Sequence, residues 1–106
     1  SKITDELVTR YHKMALRTGN RQAFIDRAKI DFKLGVRANL EKLKSVKTPT
    51  LLIWGAQDSW IPLDNGKRMD NLLPNSKLVI LENSGHVPME ESPAESLAFL
   101  NAFLND

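Results

Sequence analysis

Thr48-Pro49-Thr50-Leu51-Leu52-Ile53-Trp54-Gly55-Ala56-Gln57-Asp58, followed further on by Asn83-Ser84-Gly85-His86-Val87-Pro88, decides the fold of this chain. Pro49 and Gly55 bracket a continuous apolar, β-rich run at Thr50–Trp54. A run polar on neither face reads as a strand buried on both, as in a parallel sheet. Lys77–Leu81 is a second run of this kind. Between them Leu63, Met69, Leu72 and Leu73 recur at helical spacing, and Pro74 ends the pattern. A helix crossing between two strands implies parallel pairing and a right-handed βαβ unit. Asn65-Gly66 ordinarily signals a hairpin turn. Its flanks lack strand alternation, so the pair reads as an imperfection in the first turns of the crossover helix.

Downstream, Ser92-Pro93-Ala94-Glu95 offers a capping residue, Pro at the first helical position and Glu at the third, a strong helix start. Leu97, Leu100 and Leu104, with Phe99 and Phe103 beside them, are the expected buried side of that final helix. Residues 48–106 therefore read strand–helix–strand–helix. Upstream, residues 1–47 form a helical segment. Thr4 can cap a first helix, with Asp5 and Glu6 in its first turn and Gly19 as its C′ residue. Asn20 can cap a second helix with Phe24, Ile25 and Ala28 on its apolar side, broken at Leu34-Gly35. Val36, Leu40 and Leu43 mark a third, with Lys42, Lys44 and Lys47 near its end. The sequence opens at Ser1 in mid-pattern, straight into a helix signal, and is expected to be a piece of something longer.

At 106 residues the chain has room for one small domain. Its 42% hydrophobic and 26% charged residues are those of an ordinary globular protein. The formal charge of +2 is unevenly placed: residues 1–50 carry 12 Lys/Arg against 5 Asp/Glu, and residues 51–106 carry 3 against 8. A basic half can mark an anionic partner such as nucleic acid. Here the bases stand singly along amphipathic helices with acids among them, which is the pattern of a solvated face. No nucleic-acid partner is expected. The absence of cysteine excludes a disulfide framework and a thiolate metal site, and fits a reducing, cytoplasmic setting. No apolar run approaches the roughly 20 residues of a membrane span, so no membrane partner is expected. The five glycines stand apart and build no phosphate-cradling loop.

Asp58 lies three residues past Gly55, in the loop leaving the first strand, and His86 follows the second strand. Loops at the carboxyl ends of parallel strands are where open α/β sheets place their sites. A carboxylate there can hold an imidazole in one tautomer and stabilise its cationic form. Each residue has a plainer reading. Asp58 alone would serve an Asx-turn or a helix cap, and a lone loop histidine is an ordinary surface residue. Adjacent strand ends bring the two within contact range, and that favours an acid–base pair. Trp60 and Val87 flank the pair and could wall a substrate pocket, although core packing suits them equally. Trp54 reads as core and His12 as an exposed helix residue. Glu90 and Glu91 resemble metal ligands only superficially, because the two histidines are far apart in the sequence.

Together, Pro49-Thr50-Leu51-Leu52-Ile53-Trp54-Gly55-x-x-Asp58-x-x-Ile61-Pro62, Gly85-His86-Val87-Pro88-x-Glu90-x-x-Pro93 and Phe99-Leu100-x-x-Phe103-Leu104 resemble the C-terminal third of an α/β-hydrolase. The match covers 48–106 closely. Residues 1–47 are similar in kind to the end of that family's helical cap and the helix after it. The resemblance implies an α/β fold in which this chain is the βαβα end of a parallel sheet preceded by cap helices. It implies Asp58 as acid and His86 as general base, in the family's order of nucleophile, acid, histidine. It also implies cofactor-free hydrolysis of an ester, amide, C–C or related bond in a small-molecule substrate. No Gly-x-Ser-x-Gly occurs in the chain; by resemblance the nucleophile and oxyanion loop lie upstream of Ser1, and this piece alone is expected to be inactive. The other expectation is a non-catalytic module that self-associates through the unpaired edge of strand 50–54.

Overall fold

A computed structural model describes residues 3–33 and 36–106, except for the side chains of 30–38. The break expected at Leu34-Gly35 and the side chain of Val36 lie outside the described residues. The chain divides into two compact units, Ser1–Ala38 and Asn39–Asp106.

In the first unit, α1 (Asp5–Ala15) starts on Thr4, whose Oγ1 accepts from the Leu7 N–H at 3.2 Å. This satisfies one of the unpaired donors of the first turn. The helix ends earlier than its pattern suggests, at Ala15, with Leu16 as its C-cap. Gly19 is therefore not the C′ residue. It sits at φ +87°, and its carbonyl accepts from the Ala23 N–H, so it opens α2 (Asn20–Lys33). Asn20, expected to cap α2, instead donates its side-chain Nδ2 back to the Met14 carbonyl at 2.6 Å. A left-handed glycine takes the cap position because the chain reverses there. The amide side chain is then free to tie down the end of α1. α3 (Val36–Leu43) begins in the first unit and ends in the second, where it frays through three successive i→i+3 bonds at Lys44, Ser45 and Val46.

The second unit holds β1 (Thr50–Gly55), α4 (Leu63–Leu72), β2 (Ser76–Leu81), the short α5 (Pro88–Glu91) and α6 (Pro93–Leu104). The two strands pair in parallel, from Thr50 opposite Ser76 to Gly55 opposite Leu81. The α/β class and the crossover expected from the sequence are both present. Leu73, Val79 and Leu81 form the buried apolar core. Gly66 lies inside α4 and is buried. A Cβ on it would stand 2.8 Å from the Trp54 indole, so the glycine lets the helix pack flush on that ring. The ring cannot swing clear, because its Nε1–H donates to the Ile61 carbonyl at 3.0 Å. Gly→Ala in a helix ordinarily gains about 1 kcal/mol. Here overpacking against an anchored ring costs about 1–3 kcal/mol, and Gly66→Ala is expected to lower stability. A urea titration showing a raised midpoint would contradict this.

Three further expectations are corrected. β1 was expected to be buried on both faces, but five of its six residues are only half-buried. Among the described residues the sheet has two strands, so β1 has a neighbour on one side alone. The face of α6 expected to be buried is largely exposed, with Leu97 at 56% and Leu104 at 68%, and the buried residue of that helix is Ser96. No layer of this unit covers the face. Finally, Ser92 begins α6 without a side-chain cap bond. Its Oγ accepts from the Ser84 hydroxyl at 2.6 Å and so fastens the histidine loop to the helix start.

Candidate active site

The carboxyl ends of β1 and β2 release two loops that touch at once. Ala56 and Gln57 donate to the Leu81 and Ser84 carbonyls at 3.0 and 2.9 Å, and the Gln57 side chain donates to the Glu82 carbonyl at 3.0 Å. Gly55 makes this closeness possible. A Cβ there would collide with the carbonyl oxygens of Ser84 and Gly85.

From these loops the sequence-predicted pair meets. Asp58 Oδ2 lies 2.9 Å from His86 Nδ1. The other oxygen, Oδ1, accepts the backbone N–H groups of Trp60 and Ile61, both at 2.9 Å. One oxygen of Asp58 thus closes an Asx-type turn, and the other faces the imidazole. The turn holds the carboxylate in place so that its second oxygen faces the ring. Desolvation is the largest single influence on this carboxyl and acts upward. The bonds from Ile61 N–H, His86 and Trp60 N–H, with the histidine's charge, together outweigh it and hold the group below its ordinary value. Asp58 is therefore ionised at neutral pH and can only accept. Nδ1 of His86 must carry the shared hydrogen, which leaves Nε2 of the neutral ring as a base. Nε2 makes no hydrogen bond among the described residues. The His86 side chain is 41% exposed and that of Asp58 only 6%.

Trp60 stands against the imidazole, with ring centroids 5.1 Å apart and planes 37° from parallel, and is itself 80% exposed. Beside the pair is a cavity of about 200 Å³ whose walls include Trp54, Ile61, His86 and Met89. Neither Trp60 nor Val87 lines it. Trp60 is largely exposed beside the ring, Val87 is the N-cap of α5, and the apolar side chains that do line the cavity include Ile61 and Met89. His12 is exposed on α1. Among the described residues no group of three His, Cys, Asp or Glu side chains could hold a metal ion, and no helix is long and apolar enough to cross a membrane.

Glu91, weighed in the sequence only as a metal ligand, holds a position that sequence reasoning did not assign to it. Its Oε2 accepts the Gly85 N–H at 2.9 Å and its Oε1 accepts the Val87 N–H at 3.0 Å, one on each side of His86. The available signal was an acid in the first turn of a Pro-initiated helix, where a side chain reaches back to unpaired N–H groups.

The α/β hydrolase fold family matches residues 9–93, reaching well into the helical half. An uncharacterized hydrolase, YugF, of Bacillus subtilis (strain 168) is 47% identical over 53 residues, which are 50% of this chain and 19% of that protein. A 2-hydroxy-6-oxononadienedioate/2-hydroxy-6-oxononatrienedioate hydrolase of Pseudomonas sp is 35% identical over 88 residues, 81% of this chain and 30% of that protein. A solved serine hydrolase involved in carbazole degradation superposes on 97% of this chain with a TM-score of 0.84 at 24% identity, and the overlap is 40% of that structure. The chain thus spans well under half the length of these relatives. A parallel strand pair joined by a crossover helix, with Asp58 and His86 in contact at its carboxyl edge, agrees with the extended match, and the chain belongs to the α/β hydrolase fold family.

Proposed function

We propose that this chain supplies the acid and the general base of a nucleophile–His–Asp hydrolase acting on an ester or related bond of a small molecule. The supporting observation is the 2.9 Å contact between Asp58 Oδ2 and His86 Nδ1. Asp58 fixes the tautomer, and His86 Nε2 takes the proton of an attacking hydroxyl and returns it to the leaving group. The nucleophile comes from residues other than these, and the cytoplasm is the proposed compartment. The test is a chimaera in which the matching segment of the Pseudomonas hydrolase is replaced by its counterpart from this chain. Turnover of that enzyme's named substrate is expected, and His86→Ala should abolish it. A folded chimaera equally active without His86 would overturn the reading. The 106-residue chain alone should show no His86-dependent hydrolysis of an activated ester.

A second reading is favoured by the open flank of β1 and the exposed Leu97, Leu100 and Leu104 of α6. A two-stranded sheet is marginal by itself, and an unpaired edge pairs with another chain. In this reading the isolated chain self-associates through the 50–54 edge. Sedimentation at rising concentration should show dimers or larger species, and a persistent monomer would sink the idea.

A further inference from the structure

We infer that Glu91 is the positioning residue of the His86 base, its carboxylate gripping the backbone on both sides of the histidine and thereby setting which ring nitrogen meets Asp58. The inference rests on the acid–base reading of the pair. Three observations carry it. The two N–H groups that Glu91 accepts belong to Gly85 and Val87, the immediate neighbours of His86. Gly85 keeps the grip close, since a Cβ there would sit 3.3 Å from both carboxylate oxygens. Glu91 itself is seated by its own N–H, which donates to the Val87 carbonyl at 3.0 Å, so the loop and the first turn of α5 close on one another.

Asp58 and Glu91 thus do matching work from opposite sides. Asp58 spends one oxygen on its own loop and offers the other to the ring. Glu91 spends both oxygens on the histidine's loop. Two charge-assisted bonds to the N–H groups on either side of His86 fix the stretch of backbone from which its half-exposed ring projects toward Asp58. The supporting contacts are four and six residues apart in sequence, so this device is complete within the chain.

The experiment is ¹⁵N NMR of the His86 ring and of the Gly85 and Val87 amides in the 106-residue chain. The wild-type neutral ring should be predominantly the Nδ1–H form. In Glu91→Gln a side-chain amide must face one of the two backbone donors, and that bond is lost. The ratio of Nδ1–H to Nε2–H forms should then fall about tenfold, the effect of one charge-assisted hydrogen bond. Gly85→Ala moves the grip with the carboxylate kept and should shift the ratio in the same direction, and it carries the test alone if Glu91→Gln does not fold. Asp58→Asn should abolish the Nδ1–H form while leaving the Gly85 and Val87 amides protected. Loosened amides with an unchanged tautomer ratio would make Glu91 a structural brace only and overturn the inference. A wild-type ring without preference for Nδ1–H would overturn the acid–base reading itself, and this inference with it.

Discussion

Asp58→Asn in the hydrolase chimaera is expected to lower kcat roughly 10⁴-fold with little change in folding stability. The two oxygens of Asp58 make this separation possible. Asn keeps an amide oxygen that can accept from Trp60 and Ile61 N–H as Oδ1 does now, so the loop retains its turn. The amide nitrogen then faces His86 Nδ1 and offers a hydrogen where the carboxylate offered lone pairs. The ring must answer by protonating Nε2, the nitrogen that has to receive the nucleophile's proton. His86→Ala removes the base altogether and should cost more, about 10⁶-fold. KM should move less than kcat in Asp58→Asn, because both oxygens of Asp58 are already engaged by Trp60 N–H, Ile61 N–H and His86. Measuring kcat beside the thermal midpoint decides the matter. A fall of less than tenfold in kcat would remove Asp58 from the mechanism, and a large fall in both would reduce it to a structural residue.

How far the sequence carried depends on whether each feature was local. β1, α4 and β2 were readable because apolar runs and helical spacing report burial directly, and Pro49, Gly55 and Pro74 punctuate them. The meeting of Asp58 with His86 followed from parallel topology alone. The failures lie where one residue had two possible employments. Asn20 and Ser92 are both good caps by type, yet each side chain bonds to a more distant group. The exposed face of α6 and the half-buried β1 carry the patterns of a larger sheet than the described strands form. Pattern records what a segment requires; it does not say whether the requirement is met. The grip of Glu91 was missed because its partners are backbone N–H groups, which leave no mark on composition.

Gly55→Ala should be the most damaging small substitution in the β-containing unit. Most Gly→Ala changes outside special backbone conformations stabilise by restricting the unfolded chain, by about 0.4–1 kcal/mol. At Gly55 the added carbon meets the Ser84 and Gly85 carbonyl groups, with the Ser84 carbonyl carbon 2.7 Å away. Those are backbone atoms, so no rotamer change can relieve the contact. The loop is also fixed by Ala56 and Gln57 N–H bonds to Leu81 and Ser84, by the buried Ser84 hydroxyl on Ser92 and by the Glu91 grip. Relief therefore requires the histidine loop to move away from β1 as a body. The expected loss is about 3 kcal/mol, the upper end for overpacking, which is a large part of the 5–15 kcal/mol that stabilises a typical domain. Because Asp58 is three residues along and His86 sits on the displaced loop, the 2.9 Å contact should open in the same step. Denaturant titration should show the drop in midpoint, and the His86 ring nitrogens should lose their preference for the Nδ1–H form. A variant of unchanged stability with the preference intact would show that the two loops have slack, and that the closeness of β1 to the histidine loop is not what brings acid and base together.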